Sequence, residues 1–336
     1  MKLSRHILPF LLLAICLATA PVAPQAAAEQ SRGGATEKRF ITISTGGFYS
    51  VYYPLGSAIC RMVNQRSIEH HVYCSIRRSG GPAMNIDRLR RGEVNFAILS
   101  SDTLRLAAGG STRFATPSPF DGLRGVLALY SEQVVLLAGR AAPEPASFRD
   151  LRGKRLAIGL ANSDTATAFG YLSQAYGVQD ADFRSIMAID ETHQLDALCE
   201  GTIDGLVHVG GNPNRLVEHA LSPRCGARLL MIEPGTRANL IARQPQLQVE
   251  VIPMGAYRGL ATDVPTVGMV ALLVTEERVP ESIVAVLVRA VAEDMPTLRR
   301  AHPVMAGRRR EDLLPRLPFL SNSPPVRGLL VPGGAE

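Results

Sequence analysis

Short apolar runs alternate along the chain with segments whose apolar residues recur at helical spacing. The runs FITIST (40–45), VYCSIRRS (72–79), NFAILS (95–100), RGVLALY (124–130), QVVLLAG (133–139), RLAIGL (155–160), FRSIMAI (183–189), DGLVHVG (204–210), RLLMI (228–232), VEVIPM (249–254) and TVGMVALLVT (266–275) predict strands. Many are apolar at successive positions, as strands covered on both faces are. Between them lie helices. Leu55, Ile59, Met62 and Val63 share one face after Pro54, which suits a first helical turn, and Ile283, Val284, Leu287, Val288 and Val291 do the same in the longest late segment. This βαβ rhythm predicts an α/β fold with parallel sheets. No internal repeat interrupts it, and the only biased stretches are the N-terminal apolar run and a Pro/Gly-rich tail after Leu317.

The joints between strands and helices carry the chemistry. They read STGG (44–47), SGGPAMN (79–85), SSDT (100–103), LANSDTAT (160–167) and GNPN (211–214). Ser, Thr, Asn and Asp are favoured N-caps and Gly a favoured turn residue, so capping alone accounts for any one of them. Agreement across all of them points further. Helix N-termini present unpaired N–H groups and the positive end of a dipole, and in open α/β sheets the ligand crevice lies at the carboxyl ends of the strands. A carboxylate or phosphate fits such a crevice.

The first residues place that crevice outside the cytoplasm. Lys2 and Arg5 precede the apolar run ILPFLLLAICLATA and then PVAPQAAAEQ, the order of a secretory signal with cleavage expected after Ala28. The run is too short to stay as a membrane anchor, which needs about twenty apolar residues. A lipoprotein signal with Cys16 lipidated is the rival, but Ile15 stands where a small residue belongs. Removing residues 1–28 leaves 308 residues, enough for two domains, and lowers the net charge from +6 to +4. That charge is too mild, and its arginines too dispersed, to imply nucleic acid. Cys60, Cys74, Cys199 and Cys225 remain, an even number for an oxidising compartment. Three pairings are possible, and the spacing favours Cys60 with Cys74 and Cys199 with Cys225, each within one strand-and-helix neighbourhood. No Cys-x-x-Cys spacing suggests a metal.

Enzyme signatures are missing. The chain has no Gly-Lys-Ser/Thr phosphate loop, Gly-x-Gly-x-x-Gly, Gly-x-Ser-x-Gly or His-Glu-x-x-His, so neither catalysis nor a cofactor is expected. Adjacent His70 and His71 suit a solvated turn, and His193 a helix start. His208, inside GLVHVG beside Gly211, is the histidine placed to meet a ligand, although a core histidine bonded to backbone explains it equally. Asp102 and Asp164 sit where N-caps are expected.

STGGFYSVYYPLGSAICRMVN (44–64) resembles the opening signature of the TAXI class of solute receptors that serve TRAP transporters. CSIRRSGGPAMNIDRLRRGEVNFAILSSD (74–102), LRGKRLAIGLANSDTAT (151–167), DALCEGTIDGLVHVGGNPN (196–214) and AYRGLATDVPTVGMVALLVT (256–275) continue the resemblance in order, from about Ile41 to Val274. It implies a two-lobed periplasmic-binding fold of type II with two chain crossings, no catalysis, and delivery of small organic acids or amino acids, glutamate-like in some members, to a membrane permease. The cysteine pairing favoured above matches the family's. By position, the resemblance sets Gly46, Gly47, Tyr49 and Tyr53 of the first joint against the ligand. Ser79, Gly80 and Asn85 follow from the second joint, Ser101 and Asp102 from the third, and Ser163 and Thr165 from the second lobe. Thr45-Gly46-Gly47 would let backbone approach a carboxylate and the tyrosines form an apolar wall, so no lysine is needed when several helix N-termini share the charge.

Two departures stand out. Ser163-Asp164-Thr165 replaces the family's usual Ser-Gly-Thr, which sets a carboxylate beside the expected anion; it either caps its helix or meets an ammonium or hydroxyl group. The ending SNSPPVRGLLVPGGAE matches loosely and reads as a frayed tail. The expected organisation is a first lobe of 38–127 plus 262–336 and a second of 128–261, joined through ALYSEQVVLLAGR and RGLATDVPTVGMVALLVT and closing over the solute as a monomer. A ligand-sensing module of a signalling pathway on the same fold is the alternative.

Overall fold

The computed structural model describes residues 37–47, 50–140 and 147–331. The expected signal segment 1–28, Cys16 and Tyr49 lie outside the described residues. The chain begins with β1 (Arg39–Ser44), α1 (Tyr52–Gln65), α2 (Ser67–His70), β2 (Val72–Arg77), α3 (Pro82–Arg90), β3 (Phe96–Ser100) and α4 (Ser101–Gly109). It then runs through the long strand β4 (Leu123–Ala138) into β5 (Arg155–Ala157), α5 (Asp164–Tyr176), β6 (Ser185–Met187), α6 (Glu191–Cys199), β7 (Gly205–Gly210), α7 (Arg215–Ala220), β8 (Arg228–Leu230), α8 (Pro234–Arg243) and β9 (Gln248–Ile252). A second long strand, β10 (Val264–Glu276), returns to α9 (Glu281–Glu293), α10 (Met295–Ala301) and α11 (Pro325–Leu330).

The strands order as β2-β1-β3-β10-β4-β7-β5-β6, with β8 added on β4 and β9 on β10. β1 pairs in parallel with β2 and β3, and β5 with β6 and β7, but β4 and β10 run antiparallel to each other and to their neighbours. The sheet is therefore mixed rather than parallel. Its strands are apolar on both faces because helices cover both faces, and two of them carry the chain between lobes in opposite directions. RGVLALY and QVVLLAG, read as two strands, are the two ends of β4.

Period-two alternation sets the cores. In β10, Ala271 and Leu273 face the core with Leu55, Ile59, Met62 and Val63 of α1 and Ile283, Leu287 and Val291 of α9, whereas Leu272 and Val274 face Ile86, Leu89 and Leu104 of α3 and α4. In β4, Val134 and Leu136 pack on Phe169 and Leu172 of α5, while Val135 and Leu137 pack on Leu216 and Val217 of α7. Each such side chain contributes roughly 1.5–3 kcal/mol by leaving water. The first-lobe cores end at Tyr130 in β4, the second-lobe cores begin at Val134, and the sheet narrows there to β4 and β10. At the first-lobe edge of this stretch the register slips, Ala271 opposing Tyr130 and Leu272 opposing Ala128, so that Leu129 is left over. Such irregularities bend a strand.

Both disulfides form as the spacing favours. Cys60 within α1 is bonded to Cys74 in β2, and Cys199 at the end of α6 to Cys225 before β8. The ending is not frayed as far as Val331: Val326 and Leu330 of α11 are buried in the first-lobe core, and Ser323 donates its N–H to the Gly125 carbonyl. The Pro-Pro pair that reads as a tail starts this helix, where proline's fixed φ is compatible.

Candidate functional site

A cavity of about 470 Å³ lies between the lobes where β4 and the helix N-termini converge. The first lobe gives it Gly46 and Gly47, Tyr52 from the first turn of α1, and Ser79, Gly80 and Gly81 before α3. Gly46 is required by closeness: a Cβ there would stand 2.4 Å from Ser50 Oγ. Ser79 holds the second joint by donating to the Thr45 carbonyl at 2.6 Å and accepting from the Gly81 N–H at 3.1 Å. The second lobe gives Gly159, Ser163, Asp164 and Thr165 at the start of α5, and Asp190 to Gln194 at the start of α6. Gly159 has φ +77° and its absent Cβ would meet Thr165 Cβ at 2.9 Å, so only glycine lets this loop turn beneath α5.

The caps differ from the sequence expectation. Ser163, not Asp164, caps α5, its Oγ accepting from the Ala166 N–H at 3.1 Å, and Ser100, not Asp102, caps α4 through the Thr103 N–H at 3.0 Å. Each aspartate lies one or two residues inside its helix. Freed from capping, Asp164 reaches across the cleft, accepting from Thr103 Oγ1 and from Arg113 Nη2, both at 2.8 Å. Arg113 belongs to the first lobe, is almost buried, and also donates to the Asn162 carbonyl and Thr167 Oγ1. Asp102 accepts from Tyr171 OH and Gln246 Nε2, both of the second lobe and both at 2.7 Å. Burial, and next the Asp164 charge, raise the Asp102 carboxyl above its usual range against these donors and Arg113. The aspartates and Arg113 thus form a polar clasp across the cleft.

Of the expected ligand residues, Gly46, Gly47, Ser79, Gly80, Ser163, Asp164 and Thr165 line the cavity together. Tyr53, Asn85, Ser101, Asp102 and His208 do not. Tyr52 takes the place expected of Tyr53, because the helix that starts at Tyr52 turns its neighbour by about 100°. Asn85 is consumed inside the lobe, accepting from Ser44 Oγ and donating to the Thr45 and Ile98 carbonyls. Ser101 Oγ is used between the Gln246 carbonyl and the Val270 N–H. His208 is buried beside a separate void of about 30 Å³, with Nε2 bonded to Asn214, and burial lowers its pKa.

Two contributors escaped the sequence reading. The start of α6 is a further joint, in which Asp190 accepts from the Thr192 and His193 N–H groups; the signal was the N-cap Asp190 after the FRSIMAI strand. Glu132 lies inside β4, is 5 % exposed and lines the cavity. Its Oε2 accepts from Tyr52 OH at 2.9 Å and its Oε1 from Tyr130 OH at 3.3 Å. Burial, and next the Asp164 charge, push its pKa up to about 8 despite those hydrogen bonds. Among the described residues, no group of three His, Cys, Asp or Glu side chains is arranged to hold a metal ion.

The sequence pattern of the NMT1-like family matches residues 43–320. Among solved structures, PhnD1 from Prochlorococcus marinus (MIT 9301), in complex with methylphosphonate, is similar with a TM-score of 0.55 at 10% identity, covering 83% of this chain and 93% of that one. A protein of Bordetella bronchiseptica RB50 follows at 0.50 and 16% identity, covering 80% and 78%. The periplasmic aliphatic sulphonate binding protein SsuA from Escherichia coli gives 0.48 at 12% identity, covering 80% and 74%. The likeness to PhnD1 shows the fold, that of two-lobed periplasmic binding proteins.

Proposed function

From the premise that the chain belongs to the NMT1-like family, we propose that it is an extracytoplasmic solute receptor. In this reading it captures a small carboxylate-bearing solute, an amino acid such as glutamate or an organic acid, between its lobes and delivers it to a TRAP-type membrane permease. The observation that carries the reading is the interlobe cavity, which has the size of small-molecule sites and gathers the N-termini of α3, α5 and α6 in one place. The TAXI-like STGG joint supports the permease class, and two disulfides fit an oxidising compartment. The lobes, 38–127 with 262–336 and 128–261, would turn about β4 and β10. Mass spectrometry of compounds released from the purified, denatured protein, followed by calorimetry with what is found, tests this. A small carboxylate recovered at stoichiometric amount is expected; a released compound without a carboxylate would overturn the solute class.

A further inference from the structure

The cavity carries four acidic side chains, Glu132, Asp164, Asp190 and Glu191, and neither lysine nor arginine among its described lining residues. Three of the acids have their own compensation. Asp164 is 2.8 Å from the Arg113 guanidinium, Asp190 is 2.7 Å from the His193 ring and accepts two N–H groups, and Glu191 has a half-exposed side chain that water solvates. Glu132 is different: it is buried, and among the described residues its partners are the neutral hydroxyls of Tyr52 and Tyr130. A carboxylate accepts about four hydrogen bonds, so two hydroxyls leave half of that capacity for the cavity. Isolated negative charge in such a place is costly unless a cation arrives with the ligand.

Resting on the receptor reading, we propose that Glu132 is the cavity's receptor for a protonated amine, so that the solute carries an amino group as well as a carboxylate. The carboxylate end meets the joints of α3 and α5, and the amine meets the strand that belongs to both lobes. The groups facing Glu132 are Tyr52 from α1, Tyr130 on its own strand, Asp164 from α5, Glu191 from α6 and His208 from β7. His208, lowered by burial, is neutral near pH 7 and supplies no cation. Without ligand Glu132 holds a proton up to about pH 8, and a bound ammonium favours its ionised form. Binding an amine therefore releases that proton to solvent. Affinity should rise by up to about tenfold per pH unit below about pH 8 and level off above it.

Calorimetry on the purified chain tests this with the common L-amino acids, L-glutamate included, each paired with the 2-oxo acid that lacks its amine. In wild type, heats measured in buffers of different ionisation enthalpy should report release of close to one proton at neutral pH for the amino ligand and none for the oxo acid. Glu132→Gln should weaken the amino ligand by at least about 30-fold, the effect of stranding one member of a buried charged contact, while sparing the oxo acid. Should the variant fail to fold, the wild-type proton count decides alone. Equal losses for both ligands, or amine binding without proton release, would overturn the assignment. Tight binding of amine-free acids alone would overturn it while the receptor reading stands, and no binding of either kind would remove the receptor reading together with it.

Discussion

A single buried carboxyl can be followed through the pH dependence of the ligand-free protein. Glu132 keeps its proton to about pH 8 when folded, whereas an unfolded glutamate loses it near about 4.3. Below the lower value both states are protonated and the stability it supports is fully present; between the two values only the unfolded chain releases a proton. Stability must therefore fall as pH rises across that window, by at most about 1.4 kcal/mol per unit from this group. Asp102, raised in the same sense, adds to the slope at its lower end. Denaturant melts of ligand-free protein at pH 5 to 8 should show a shallower decline in Glu132→Gln than in wild type, and parallel lines would remove Glu132 from the account. At this scale the sequence was only partly legible. Small residues at a strand end announce a joint, so Gly46, Ser79, Ser163 and Thr165 could be read. A glutamate inside ALYSEQVVLLAG could not, because only the pairing of β4 with β10 and the approach of α1 show that its side chain enters a cavity. Tyr52 against Tyr53 turned on where α1 begins, which the sequence leaves uncertain by a residue or more.

Elements were read more easily, since period-two runs and helical faces are local. What failed was what needs a partner: the antiparallel sense of β4, the packing of α11 on α9, and the reach of Arg113 into the other lobe. Each disulfide ties a helix to a strand or the loop before one, closing separations of 14 and 26 residues. In the loop-entropy account each stabilises by roughly 2–4 kcal/mol. Replacing Cys60 and Cys74 together by serine should lower the unfolding free energy by that amount in denaturant melts, and an unchanged midpoint would show that the bond constrains nothing. The clasp across the cleft is a second device at this scale. Arg113→Met keeps much of the side-chain bulk but leaves Asp102 and Asp164 buried without their shared cation, a change of about 3–5 kcal/mol when one partner of a buried pair is lost. Because Arg113 bridges the lobes, that penalty falls on the closed form. Weaker ligand binding is expected with the unfolding of each lobe little altered; unchanged affinity would make the clasp incidental to closure.

In the whole molecule, little chain joins the lobes inside the sheet. The first-lobe cores reach Tyr130 in β4 and Ala271 in β10, the second-lobe cores reach Val134 and Met269, and the slipped register at Leu129 marks the first-lobe edge of the gap between them. Rotation there disturbs few buried side chains, whereas rotation anywhere else would break a packed core, and packed cores do not deform continuously. Opposing this freedom are the contacts that exist only when the lobes meet: Thr103 and Arg113 with Asp164, Tyr171 and Gln246 with Asp102, and Ser101 with Gln246. Most are polar and can be replaced by water in an open form, so the balance between open and closed is set by a few groups and is open to bias by a ligand that touches both sides. A solute held by Ser79 and Gly80 on one lobe, by Ser163 and Thr165 on the other, and by Glu132 between them would supply that bias, because half of its contacts vanish on opening. Small-angle scattering should therefore show the radius of gyration fall on saturation with the solute, and Arg113→Met should start more open and contract further. Identical scattering with and without saturating ligand, in both proteins, would mean that the cavity fills without movement and that the clasp holds the lobes together regardless of occupancy.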